Sequence, residues 1–178
     1  MSRGANVLLK LAHAEPHLLD KLVTIGCSPD MPSPTYFSAN YLRMTREMFE
    51  RGDIEGIVRA HTAVVLSEPQ TRELRELIVQ NRLQLSHETM LSFFDPDPTV
   101  DVTPILAETN VPTLVTHGSE DRLVACSAAA FIAEQLPDAQ LYLFEGKGHL
   151  PLFTATDEFC TVLRNFVRTG TAANENRT

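Results

Sequence analysis

Val111-Pro112-Thr113-Leu114-Val115-Thr116-His117-Gly118-Ser119-Glu120-Asp121 decides the fold. An apolar, β-branched run of strand length ends at a glycine and hands over at once to acidic residues. Runs of this kind belong to strands buried on both faces. A second follows after a helical stretch from Ala128 to Leu136 closed by Pro137. It is Gln140-Leu141-Tyr142-Leu143-Phe144, and it leads into Glu145-Gly146-Lys147-Gly148-His149-Leu150-Pro151. Upstream, Lys21-Leu22-Val23-Thr24-Ile25-Gly26 is a third short strand ended by glycine. A helix over Ala5 to Ala14 precedes it, with Val7, Leu8, Leu11 and Ala12 at helical spacing and Glu15-Pro16 as its stop. Thr154-Ala155-Thr156-Asp157 reads as a capping box for a last helix bearing Phe159, Val162, Leu163 and Phe166. Strands separated by helices imply an α/β fold: a mostly parallel sheet with flanking helices and right-handed crossovers.

Residues 29–104 have another texture. Pro29, Pro32 and Pro34 lead into three amphipathic helices. The first carries Phe37, Tyr41, Met44 and Met48, and Gly52 and Asp53 suit its C-cap and the next N-cap. The second carries Ile54, Ile57, Val58, His61 and Val65; the third starts near Ser67-Glu68-Pro69 and carries Leu74, Leu77, Ile78, Asn81 and Leu85. Phe93-Phe94-Asp95-Pro96-Asp97-Pro98 reads as a loop, and 170–178 as a disordered tail. The chain thus divides into 1–28 and 105–169, which alternate strand and helix, around an all-helical 29–104. Only about three strands are legible, so the parallel sheet is expected to be incomplete, with an exposed apolar edge. That edge is a physical reason to expect further sequence upstream, and it invites self-association.

Three residues fall at the chemically useful ends of these elements. Ser2, followed by Arg3-Gly4, opens the first helix after what would be a sharp strand-to-helix turn. Small residues flanking such a serine let backbones pass closely, and the helix start offers the Arg3 backbone N–H to a developing oxyanion. Asp121 follows the second strand, at the carboxyl end of a parallel sheet, where such sheets put function. His149 follows the third strand in a glycine turn that would present its ring at the top of the sheet. Serine, then acid, then histidine is the chain order of one form of the nucleophile–base–acid triad. Glu120 neighbours the acid, Asp30 is a displaced candidate, and His117 is expected to order the acid loop.

With these residues in view, residues 111–168 resemble the last third of an α/β-hydrolase, from the acid strand to the Gly-Lys-Gly-His-Leu-Pro turn. Residues 2–28 are similar to that family's nucleophile helix and following strand. The resemblance implies a partial α/β-hydrolase fold, with 1–28 and 105–169 as its core and 29–104 as a helical cap or lid. It implies a serine carboxylesterase or thioesterase, with catalytic Ser2, Asp121 and His149 and the Arg3 N–H in the oxyanion hole. No cofactor and no metal are implied. Met31, Phe37, Tyr41, Met44 and Met48 become candidates for lining the acyl pocket, against a reading in which they pack the cap's own core. The family's first strands, its oxyanion loop and the glycine before the nucleophile do not occur in these residues. The chain is therefore expected to be a C-terminal portion beginning inside the nucleophile motif. A non-catalytic remnant or interaction module is the alternative of another class. A cofactor-free haloperoxidase or carbon–carbon bond hydrolase would use the same triad.

Composition excludes other classes. The 178 residues are 43% hydrophobic and 21% charged, with net charge −8 and no Lys/Arg-rich run. Nucleic acid and anionic membrane surfaces are thereby disfavoured as partners; the resemblance implies a small-molecule acyl ester or thioester as substrate. Cys27, Cys126 and Cys160 fit neither a zinc nor a redox spacing, and their odd number closes no disulfide framework. They read as reduced thiols of a cytoplasmic protein. His13, His17, His61 and His87 share no metal-ligand spacing with acids or cysteines. No apolar run reaches the about 20 residues a bilayer requires, and no secretory signal is legible at Met1.

Overall fold

The computed structural model describes residues 1–30, 35–86, 88–89 and 101–172. Its strands are β1 (Leu22–Ile25), β2 (Thr113–Gly118) and β3 (Ala139–Phe144). Its helices are α1 (Arg3–Ala14), α2 (Ala39–Glu50), α3 (Ile54–Val65), α4 (Arg72–Arg82), α5 (Cys126–Gln135), the single turn α6 (Pro151–Thr154) and α7 (Thr156–Thr169). The strands form one parallel sheet in the order β1-β2-β3. Leu22 pairs with Thr113 and Ile25 with Thr116; Thr113 pairs with Ala139 and Gly118 with Phe144.

β2 is buried along its whole length, which accounts for its unbroken apolar reading. Successive side chains serve opposite faces. Val115 packs with Leu9 and Ala12 of α1, Ile132 of α5, and Leu106 in a 3₁₀ stretch. Leu114 packs the other way, on Val162 and Phe166 of α7. Each such fully buried Leu or Phe contributes about 1.5–3 kcal/mol. Ala172 joins the second cluster, and its N–H donates to Gln140 Oε1 at 2.9 Å. The stretch just past α7 is therefore packed rather than loose; residues 173–178 lie outside the described residues.

α2, α3 and α4 form a helical layer between β1 and β2 in the chain. Ser38 caps α2 through the Tyr41 N–H, and Asp53 caps α3 through the Gly56 N–H at 2.8 Å. Val58 of α3 meets Val79 of α4. A second cluster joins this layer to the sheet: Phe37, Tyr41, Val65 and Leu66 pack on Leu123, Val124, Ala128 and Leu150.

Three local expectations change. Phe37 lies outside α2, in an antiparallel bridge to Val124, because Ser38 caps the helix after it. α4 starts at Arg72, after a separate 3₁₀ turn at Pro69–Thr71 that the proline opens. The capping box at Thr154 is not formed. Pro151 starts a separate helical turn, Ala155 becomes the N-cap of α7, and Thr154 Oγ1 turns back to the Leu150 carbonyl. The expected loop at 93–98 and Met31 lie outside the described residues.

Candidate active site

β2 ends at Gly118, and the chain turns at once. Ser119 and Glu120 donate their N–H groups to the carbonyls of Phe144 and Lys147, so the loops after β2 and β3 are laced together. A side chain at Gly118 would strike the carbonyls of Lys147 and Gly148. The glycine is needed because the histidine loop lies flat across the strand end.

Asp121, the acid expected from sequence, has no exposed side-chain surface. Its Oδ1 accepts the N–H groups of Leu123 (2.8 Å) and Val124 (3.1 Å). Its Oδ2 meets His149 Nδ1 at 2.6 Å and His117 Nε2 at 3.0 Å. Burial alone would raise this carboxyl, but the hydrogen bonds from His117 and His149 outweigh it and hold it well below the usual carboxylate range. His117 Nε2 also lies 3.0 Å from the Val124 carbonyl. Both contacts are to acceptors, so Nε2 carries the proton and the ring braces the acid loop. Glu120 points to solvent, and Asp30 is engaged with Ser28, whose hydroxyl donates to its carbonyl at 2.6 Å.

His149 is 2% exposed. With Nδ1 committed to Asp121, Nε2 is the nitrogen left for chemistry. The ring lies against Gly26: a Cβ there would sit 2.8 Å from Cε1 and 2.9 Å from Nδ1. Gly26 also has a φ of 57°, so both space and backbone exclude a larger residue.

Ser2 reaches the same corner from the other direction. Among the described residues it is the one non-glycine with positive φ, at φ 47° and ψ −134°. Such a conformation costs of order 1–3 kcal/mol and persists only where the surroundings impose it. Part of what imposes it is the Ser2 N–H, which donates to the Ile25 carbonyl at 2.7 Å. Leu22 and Gly26 direct their N–H groups to β2 (Pro112 and Thr116), so alternation turns the backbone of Val23 and Ile25 to the opposite edge. Ser2 thus occupies a rung position on the edge of β1 that no strand covers among the described residues. The backbone of Ser2 rests on Ile25 and the imidazole of His149 on Gly26, its neighbour. No hydrogen bond joins the Ser2 side chain to His149 among the described residues.

Arg3 is the first residue of α1. The N–H groups of Gly4 and Ala5 turn back to the carbonyls of Met1 and Ser2. Close backbone approach, the expected reason for a small residue at Gly4, is not met by any described neighbour: a Cβ there finds nothing within 4 Å.

Of the pocket candidates, Phe37, Tyr41 and Met44 lie at the junction between the helical layer and the acid and histidine loops. Met48 is half-buried and outside that cluster. Tyr41 Oη bonds His61 Nδ1 at 2.6 Å, a pair that sequence reading missed. Burial, with the charges of Arg82 and His149, pushes the His61 imidazole down to about 3; burial pushes the Tyr41 phenol up. The signal was a histidine on the apolar stripe of α3. Cys27 Sγ donates to Asn6 Oδ1 at 3.1 Å, and Asn6 Nδ2 donates to the Ser28 carbonyl at 2.9 Å. Burial raises this thiol to about 12 despite the nearby N-terminal ammonium, so it stays protonated and is no nucleophile. Glu68, which read as the start of a helix, reaches the histidine loop with Oε1 2.8 Å from the Gly148 N–H.

No protein-family model matches the chain. It is 28% identical over 178 aligned residues to a pimeloyl-[acyl-carrier protein] methyl ester esterase of Vibrio parahaemolyticus, covering 94% of this chain and 68% of the relative. It is 26% identical to a 2-hydroxy-6-oxononadienedioate/2-hydroxy-6-oxononatrienedioate hydrolase of Pseudomonas putida, covering 94% and 60%. A solved hydrolase from Oleispira antarctica superposes with TM-score 0.82 at 18% identity, over 94% of this chain and 63% of that one. The chain therefore spans about two-thirds of the length of these proteins. Among the described residues no helix is long and apolar enough to cross a membrane.

Proposed function

Because the chain is an α/β-hydrolase by fold and by relatives, we propose that it carries the serine triad of an enzyme that hydrolyses ester or thioester bonds. Ser2 is the nucleophile, His149 the general base and Asp121 its orienting carboxylate. The observation that carries the reading is the buried 2.6 Å contact between His149 Nδ1 and Asp121 Oδ2, beside a serine at positive φ whose N–H bonds Ile25, the neighbour of the Gly26 that the His149 ring lies against. Asp121 fixes the tautomer that leaves Nε2 as acceptor, and its charge stabilises the imidazolium formed when Ser2 loses its proton. Ser2 Oγ attacks the acyl carbon, and the Arg3 N–H at the start of α1 receives the oxyanion. Collapse expels the alcohol or thiol, protonated from His149. Water, activated by the same ring, then releases the acid.

Support for a longer whole protein comes from the uncovered edge of β1 and from the span of the relatives. In this reading a strand ahead of Ser2 continues the ladder begun at the Ile25 carbonyl, and a second oxyanion donor comes from outside these residues. The helical layer of α2, α3 and α4 acts as the cap over the acyl group. Ester hydrolysis is the chemistry of the methyl ester esterase among the relatives; the same triad would serve the other kind of hydrolase that the chain resembles.

A fluorophosphonate probe tests the triad in the whole protein. Labelling is expected at Ser2, lost in Ser2→Ala and strongly slowed in His149→Ala. Labelling that survives Ser2→Ala at full stoichiometry would overturn the assignment.

A further inference from the structure

Glu68 is a carboxylate in an unusual place. It sits at the entry to α4, is 8% exposed, and reaches out of the helical layer to the loop that carries His149. Its Oε1 accepts the buried Gly148 N–H at 2.8 Å. Its Oε2 is buried and has no hydrogen-bond partner among the described residues. A Cβ on Gly148 would lie 3.1 Å from Ser67 Oγ and 3.2 Å from Glu68 Oε2, so the layer and the loop are in tight contact there. From below, the same peptide is held by β2, since Gly118 leaves room for the carbonyls of Lys147 and Gly148. The residue before His149 is thus gripped from two sides, once by the sheet and once by the helices.

We propose that Glu68 is a positioning residue: its carboxylate ties the seating of the helical layer to the orientation of the His149 imidazole. The proposal rests on the reading of His149 as general base. The hydrogen bond from the Gly148 N–H to Glu68 Oε1 is the direct polar link from α4's entry to the histidine loop. When the layer lifts, the Gly148 peptide loses its upper partner, and the ring one residue on loses the constraint that aims Nε2 at Ser2. When the layer closes over an acyl group, the base is set. Glu68 touches neither substrate nor reacting atoms in this account and acts only through the loop.

The test uses three variants in the whole protein. Glu68→Gln keeps an acceptor at the same reach, Glu68→Asp keeps the charge but falls a methylene short, and Glu68→Ala removes both. kcat is expected to fall on the order of 100-fold in Glu68→Ala and Glu68→Asp, as a misplaced catalytic group costs. KM should stay within about 3-fold, and Glu68→Gln should hold kcat within about 3-fold, because the acceptor is retained. The strongly deshielded Nδ1 proton between His149 and Asp121, read by proton NMR, should shift or broaden in the Asp and Ala variants and persist in Gln. An unchanged kcat and an unmoved proton signal in Glu68→Asp would overturn the proposal. So would a loss of thermal stability with kcat intact. Failure of the hydrolase reading is seen separately, as hydrolysis that survives Ser2→Ala, and leaves the NMR comparison standing.

Discussion

His61 lies on the inner stripe of α3, bonded to Tyr41 and held neutral, with its imidazole pushed down to about 3. An unfolded histidine titrates near ~6.5. Above that value neither state binds the proton and this group adds no pH dependence. Below it the unfolded chain takes up a proton that the folded one refuses. Stability should therefore fall as pH drops from about 6.5 towards 3, by at most about 1.4 kcal/mol per pH unit from this residue. Asp121 acts in a different window: its depressed carboxyl contributes in full above the unfolded value of ~3.9 and is lost only below it. Urea unfolding between pH 4.5 and 7 separates the two. His61→Gln should flatten the slope there, and an unchanged slope would rule out His61 as its source. None of this could be read from His61 alone. Its place on an apolar stripe was visible, but the tyrosine one helix away that bonds it was not.

Loops after β2 and β3 carry Asp121 and His149, and backbone contacts lace the two loops together. Gly118→Ala is expected to cost about 1–3 kcal/mol, because the added methyl meets two carbonyls that cannot rotate away. Gly4→Ala, near the start of α1, meets nothing within 4 Å in this chain and should be neutral or stabilise by up to ~1 kcal/mol. Thermal melts of both variants check the contrast. The element pattern itself was legible: the β2 run, the helix stop at Glu15-Pro16 and the Asp53 cap all act locally, on residues within a few positions of each other. The capping box at Thr154 failed for the same reason in reverse. Pro151, three residues earlier, had already begun a turn and moved the cap to Ala155.

Among the described residues the molecule is a three-stranded parallel sheet with helices on both faces, and β1 and β3 are its two edges. A parallel sheet is stable when both faces and its edges are covered. The 178-residue chain by itself is expected to turn over esters at or near background. Ser2 would be held by the Ile25 carbonyl but not by a preceding strand, and one oxyanion donor alone typically loses ~100- to 1,000-fold in rate. Assay of the purified chain on a short-chain aryl ester checks this. Robust turnover abolished by Ser2→Ala would show that the site is complete without further strands.

The sequence by itself determined the elements and the order of the chemical groups. Strand and helix follow from side-chain periodicity and from glycine, proline and cap residues, all of which act over a few positions. Asp121 and His149 were legible because each directly follows a strand whose end the sequence marks. Ser2 was legible only through them and through the helix it opens. Tertiary structure decided everything that joins distant residues. It placed His149 on Gly26 and on Asp121, Tyr41 on His61 and Glu68 on Gly148, at separations of up to 123 positions along the chain. Such contacts depend on how β1, β2 and the helical layer come together in space, and no local pattern encodes the partner.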